Sequence, residues 1–155
     1  VAPGKAIRVC VTRPEKPGAQ LRAAKDACRI LRAAAQADRE SFYAIHLDAQ
    51  NRVLGVEEVA KGGIAHVEVH PREVFKSAIL TNAAALLIGH NHPSGSPKPS
   101  EQDLEITRRL IGAGKLLGIP IRDHVIVGAD SCTGLRDQGL VIGFEGVKRR
   151  RRRSR

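Results

Sequence analysis

A chain of 155 residues with 42% apolar and 27% charged side chains has the make-up of one folded domain with a single good core. No apolar run approaches the ~20 residues of a spanning helix and no secretory signal opens the chain, so a soluble, cytoplasmic protein with no membrane partner is expected. The net charge of +10 suggests a polyanion partner until its distribution is read: Lys148 to Arg155 hold 7 of the 26 basic residues, leaving 19 against 16 acidic ones.

Residues 5–12 alternate Ile7, Val9 and Val11 with Arg8, Cys10 and Thr12, the period of a half-buried strand. From 20 to 36, Leu21, Ala24, Cys28, Leu31 and Ala35 recur at steps of three and four. Arg22, Lys25, Asp26, Arg29 and Arg32 take the other side, so an amphipathic helix is expected. Residues 41–47 read as a strand, 48–51 as a polar hairpin turn, and 52–60 as a second strand ended by Gly62 and Gly63. Pro71 stands where a first helical turn accepts proline, and Val74, Phe75, Ala78 and Ile79 give that helix a buried stripe. The apolar run 83–89 is a short buried strand leading into His90. A loop rich in proline and glycine follows, then a helix from Glu101 to about Leu117, a strand over 121–127, and mostly turn over 128–139.

The element order β, α, β, β, α, β, α, β contains a hairpin, which rules out a purely parallel sheet. The fold class expected is α/β: one mixed sheet with helices packed on its faces. The chain divides into an N-terminal strand and helix (1–37), a metal-binding domain (38–145) and a basic, disordered tail (146–155). Cys10, Cys28 and Cys132 are odd in number and dispersed, with no CxxC pair. They argue against a disulfide framework and for a reducing compartment.

The chemistry gathers at His90-Asn91-His92-Pro93, followed by Ser100 and Asp103. On a strand, alternate side chains share a face, so His90 and His92 reach one point while Asn91 turns away. Two histidines and an aspartate leave the fourth tetrahedral position of a zinc ion open, as catalytic sites do. Separately, each part has a plain structural reading: strand histidines, and a capping box of Ser100 with Asp103. Joined within fourteen residues behind a buried strand, they point to metal-assisted hydrolysis. HNH nucleases, metallo-β-lactamase-like hydrolases and zinc deaminases need other spacings or partner residues that this chain lacks.

The spacing His-x-His-x7-Ser-x2-Asp over His90, His92, Ser100 and Asp103 is similar to the motif of JAMM (MPN+) metalloproteases. The Asn between the histidines resembles the RadC branch in particular. So do the stretch 42–53, His70-Pro71-Arg72-Glu73-Val74, and Asp123-His124-Val125-Ile126-Val127. The likeness covers about residues 21–143, and no helix-hairpin-helix module of the kind that precedes this domain in RadC proteins is read here. The resemblance implies a JAMM/MPN, cytidine-deaminase-like sandwich with Zn2+ held by His90, His92 and Asp103. It also implies Glu40 as the general base, Ser100 as the oxyanion donor, and peptidase or isopeptidase activity on a protein or peptide substrate. Without it, Glu40 reads as one solvated carboxylate among Glu57, Glu58, Glu68 and Glu73.

His124 beside Asp123 reads as a hydrogen-bonded structural histidine rather than one standing behind the metal ligands. His46, His66 and His70 read as surface or structural. The run Lys148 to Arg155 would bind nucleic acid or an acidic partner non-specifically by counterion release. A second reading of the whole chain is a non-catalytic nucleic-acid-associated accessory protein, of DNA repair or a mobile element, acting through that tail.

Overall fold

The computed structural model describes residues 18–32, 38–62 and 68–144. The expected strand over 5–12, His66 and the basic run from Lys148 lie outside the described residues. The elements are α1 (Ala24–Arg32), β1 (Ser41–Leu47), β2 (Val53–Lys61), α2 (Pro71–Leu80), β3 (Ala85–Asn91), α3 (Glu101–Leu117), β4 (Ile121–Val127), β5 (Cys132–Gly134) and α4 (Leu135–Gln138).

They build one five-stranded sheet in the order β2-β1-β3-β4-β5. β1 pairs antiparallel with both β2 and β3, β4 pairs antiparallel with β5, and β3–β4 is the parallel step, crossed by α3. The mixed sheet with helices on its faces is therefore the fold, as the element order implied.

Strand alternation sorts the core into two layers. On one face Phe42, Ala44, Leu86, Ile88 and Ile126 pack with Val74, Phe75 and Ala78 of α2 and with Leu110 and Ile111 of α3. On the other, Tyr43, Ile45, Leu47, Leu87, Val125 and Val127 meet Ala27, Cys28 and Leu31 of α1. That second contact is close. A Cβ on Gly89 would stand 2.4 Å from Leu31 Cδ1 and 3.0 Å from the Val125 carbonyl oxygen, so the glycine gives room for α1 against β3. The helix predicted over 20–36 is seen as Ala24–Arg32, and residues 33–37 are outside the description.

Two expectations need correction. Residues 128–139 are not mostly turn, because β5 pairs with β4 and α4 follows it directly. Elements of three and four residues are too short to carry a period. What holds α4 is a distant group: buried Asp123 accepts from the backbone N–H of both His124 and Arg136 through Oδ1. The cysteines are also not all unpaired. Cys28 on α1 and Cys132 on β5 form a disulfide across 104 residues, with Cα atoms 6.1 Å apart. Parity and spacing cannot register that the fold brings α1 and β5 together over one sheet face. The ground for expecting a reducing compartment goes with that correction. Among the described residues no helix is long and apolar enough to cross a membrane.

Candidate metal centre

His90 lies near the end of β3, opposite Phe42 of β1 and Ile126 of β4, and His92 follows the strand by one residue. Because Glu40 precedes Phe42 by two, its side chain leaves the chain on the same face as the Phe42 ring, beside His90. Asp103 arrives from α3. The Ser100 Oγ accepts the Asp103 N–H at 3.1 Å and the Asp103 carboxylate accepts the Ser100 N–H at 2.7 Å, a complete capping box. The helix terminus thus fixes the carboxylate where both histidines can reach it. Glu40, His90, His92 and Asp103 bring ligand atoms within 4.8 Å of one another.

Three of these atoms are tightly grouped. His90 Nε2 is 2.9 Å from His92 Nε2 and 3.1 Å from Asp103 Oδ1, and His92 Nε2 is 3.3 Å from Asp103 Oδ2. Tetrahedral donors bonded to zinc at ~2.0–2.1 Å stand ~3.3 Å apart, so the set has about the span of one coordination sphere.

The proton inventory behind them makes the same point. The Thr107 hydroxyl donates its one proton to the carbonyl of Asp103, so it can only accept from His124 Nδ1, 2.6 Å away. His124 Nε2 is then a bare acceptor and takes the N–H of His90 Nδ1 at 2.8 Å. His90 Nε2 is left with its lone pair outward. His92 reaches the same state independently, since its Nδ1 donates to the Ser96 carbonyl at 2.8 Å. Two imidazole lone pairs and a carboxylate therefore converge with no N–H between them. Such a set could hold a cation.

The electrostatics agree. Burial alone would raise the Asp103 carboxyl, but the two imidazoles beside it and the Ser100 N–H outweigh burial and hold the group far below the ordinary carboxylate range. The Asp103 carboxylate raises His92 above its usual value, against the effect of burial, with Ser96 and the charge of Glu40 adding to the rise. Deep burial pushes His124 well down, which keeps it neutral as the relay requires.

Glu40, His90, His92 and Asp103, as expected from the sequence, lie in this cluster, and Ser100 stands at its edge, where its hydroxyl donates to Asp103 Oδ2 at 2.8 Å. The reading of His124 needs correction: it stands directly behind His90. Thr107 belongs to no motif in the sequence. The available signals were slight: Thr107 follows Asp103 by four and so shares its helix face, and His124 interrupts an apolar strand in which a buried imidazole needs a partner.

The model of the RadC-like JAB domain matches residues 21–140. The chain is 52% identical over 103 residues to a UPF0758 protein of Desulforudis audaxviator (strain MP104C), covering 66% of this chain and 45% of that protein. It is 50% identical over 104 residues to the UPF0758 protein STH371 of Symbiobacterium thermophilum, at 67% and 44% coverage. A UPF0758 protein of Desulforamulus reducens is 38% identical over 151 residues, 91% of this chain and 66% of its own length. The chain spans less than half the length of the first two relatives. With the family model covering most of the sequence, this chain belongs to the RadC-like JAB domain family.

Proposed function

We propose that the chain is a zinc-dependent metallohydrolase that cleaves peptide or isopeptide bonds. The observation that carries this reading is the convergence of His90 Nε2, His92 Nε2 and Asp103, all lone-pair donors, with the Glu40 carboxylate alongside. His90, His92 and Asp103 would hold the ion, leaving one tetrahedral position open. Zinc bound there would supply Lewis acidity, making water nucleophilic near neutral pH and polarising a carbonyl.

The chain's own groups do the rest. Glu40 takes the proton from the attacking water and returns it to the leaving amine. Ser100 donates to the oxyanion. Rotation about its Cβ–Oγ bond swings the proton away from Asp103, while the oxygen keeps the cap on α3. Beside Asp103 and Glu40 lies a cavity of about 220 Å³, with apolar walls from Phe42, Val69 and Ile106 and charged ones from Glu105 and Arg109. It has room for a substrate side chain next to the proposed chemistry. A protein or peptide substrate fits that reading.

The test is elemental analysis of purified protein followed by a quenched fluorogenic peptide library. One zinc per chain, lost in the His90→Ala/His92→Ala double variant together with hydrolysis, is the expected result. Full zinc retention in the double variant would sink the assignment.

A further inference from the structure

Asn91 stands between the two histidines of the cluster and is buried, yet its side chain takes no part in the cluster. Its Oδ1 accepts the Ser41 N–H at 2.8 Å, and its Nδ2 donates to the Arg39 carbonyl at 2.9 Å. The two bonds bracket residue 40. The β1–β3 ladder has its last pair at Phe42 and His90, so the main chain ahead of Phe42 has no ladder partner on β3. A carboxamide carries one planar donor and one acceptor, as a peptide group does, and here it continues the ladder by one step. On the other flank the Gly62 N–H donates to the Glu40 carbonyl at 2.8 Å. The carbonyls of 39 and 40 and the N–H of 41 are thereby all held.

We infer that Asn91 is a positioning residue for Glu40: its side-chain amide clamps the backbone on both sides of that carboxylate and ties it to the strand bearing His90 and His92. The inference rests on the reading of Glu40 as general base. Because Asn91 belongs to the same strand as His90, any motion of that strand carries the base along with the proposed ligands. No other residue type supplies both arms at this length. Aspartate keeps the acceptor for Ser41 but turns a second oxygen toward the Arg39 carbonyl, and alanine removes both bonds.

The test compares Asn91→Ala, Asn91→Asp, Glu40→Gln and the Asn91→Ala/Glu40→Gln double variant in zinc content, backbone amide exchange and hydrolysis of the quenched fluorogenic peptide library. Asn91→Ala should keep its full zinc, expose the Ser41 amide to faster exchange, and lose hydrolysis by about 10- to 100-fold. Added to Glu40→Gln it should cost nothing further, because both changes act through one group. Asn91→Asp, with the same shape, should lose hydrolysis in the same direction and guards against a fold defect in the smaller variant. Wild-type hydrolysis by Asn91→Ala beside an inactive Glu40→Gln would overturn the clamp and leave the base in place. Zinc loss in Asn91→Ala would overturn it too, by assigning Asn91 to the support of the ligands, and losses that add in the double variant would overturn it by showing that Asn91 acts apart from Glu40. A Glu40→Gln protein with wild-type activity would remove the base and the inference together.

Discussion

His124 Nε2 lies 2.8 Å from Nδ1 of His90, and its other nitrogen lies 2.6 Å from the Thr107 hydroxyl. Since Thr107 passes its proton to the Asp103 carbonyl, the chain of bonds selects one tautomer at each imidazole. His90 is held with its proton on Nδ1 and its lone pair facing His92 and Asp103. The two proposed ligands His90 and Asp103 are also joined from behind, through Thr107 and His124, as well as in front.

That arrangement predicts the effect of removing His124. His124→Ala should weaken zinc binding by about 10- to 100-fold, as loss of an outer partner of a ligating histidine generally does. His124→Gln can place an amide oxygen near the former Nε2 and should recover part of the affinity. Competition with a chromophoric chelator measures both. Equal affinity in wild type and His124→Ala would show that the His90 tautomer does not depend on this contact.

Glu40 and Asp103 are both carboxylates of the cluster, but they should respond differently to amide replacement. Glu40→Gln keeps the shape and one acceptor oxygen while losing basicity. It should bind zinc normally and lose ~10²- to 10⁴-fold in hydrolysis, the usual contribution of a general base. Asp103→Asn should lose the metal itself, because a neutral amide is a poor zinc ligand and no longer offsets His92. Zinc content and turnover measured on the same preparations separate the two. Loss of zinc in Glu40→Gln would make Glu40 a fourth ligand and the site a closed, structural one.

The parts of the fold legible in the sequence are those with local causes. α2 begins at Pro71, and α3 runs from the residue after Ser100 to Leu117, where Gly118 takes the left-handed conformation that ends it. β1 and β4 show runs long enough to be read. His90, His92 and Asp103 were legible for the same reason, lying within fourteen residues of one another. Glu40 is fifty residues from His90, and only the family resemblance points to it. His124 and the Cys28–Cys132 pair depend on which elements become neighbours, and no local pattern encodes that.

The disulfide joins the helix on one face of the sheet to its edge strand, and closes a loop of 104 residues. In the chain-entropy picture a crosslink closing ~100 residues stabilises by up to ~4.7 kcal/mol, and native bonds commonly contribute ~2–5 kcal/mol. Thiol titration of the denatured, unreduced protein should find one free thiol of the three cysteines in the sequence. Reduction, or Cys28→Ser, should lower the urea midpoint accordingly. Three free thiols in freshly purified protein would remove the bond and its contribution.

His46 supplies a pH dependence remote from the metal cluster. It is fully buried on β1, and burial pushes its imidazole from 6.5 down to about 4. The hydrogen bonds place its one proton. Thr81 donates its hydroxyl proton to carbonyls of α2, so His46 Nδ1 must donate to Thr81 Oγ1 at 2.8 Å. Nε2 is left without a proton, facing Ser77 Oγ at 3.3 Å and Glu57 of β2 at 3.7 Å, while Ser77 gives its own proton to Glu57. Burial also raises Glu57, so that carboxylate is a weakened counter-charge. Between pH ~6.5 and ~4 the unfolded chain gains a proton at His46 that the folded chain refuses, so stability falls as pH falls through this window. The contribution is complete above pH ~6.5 and the loss reaches about 3 kcal/mol near pH 4, at 1.36 kcal/mol per unit. Glu57 works in the opposite sense, its raised value favouring the folded state at low pH. His46→Asn isolates the imidazole, because the amide can still donate to Thr81 but does not titrate. Urea unfolding from pH 7.5 to 4.5 should show a clear decline in the wild type and a shallower one in His46→Asn. Parallel curves for the two proteins would mean that His46 is protonated in the folded state as readily as in the unfolded one.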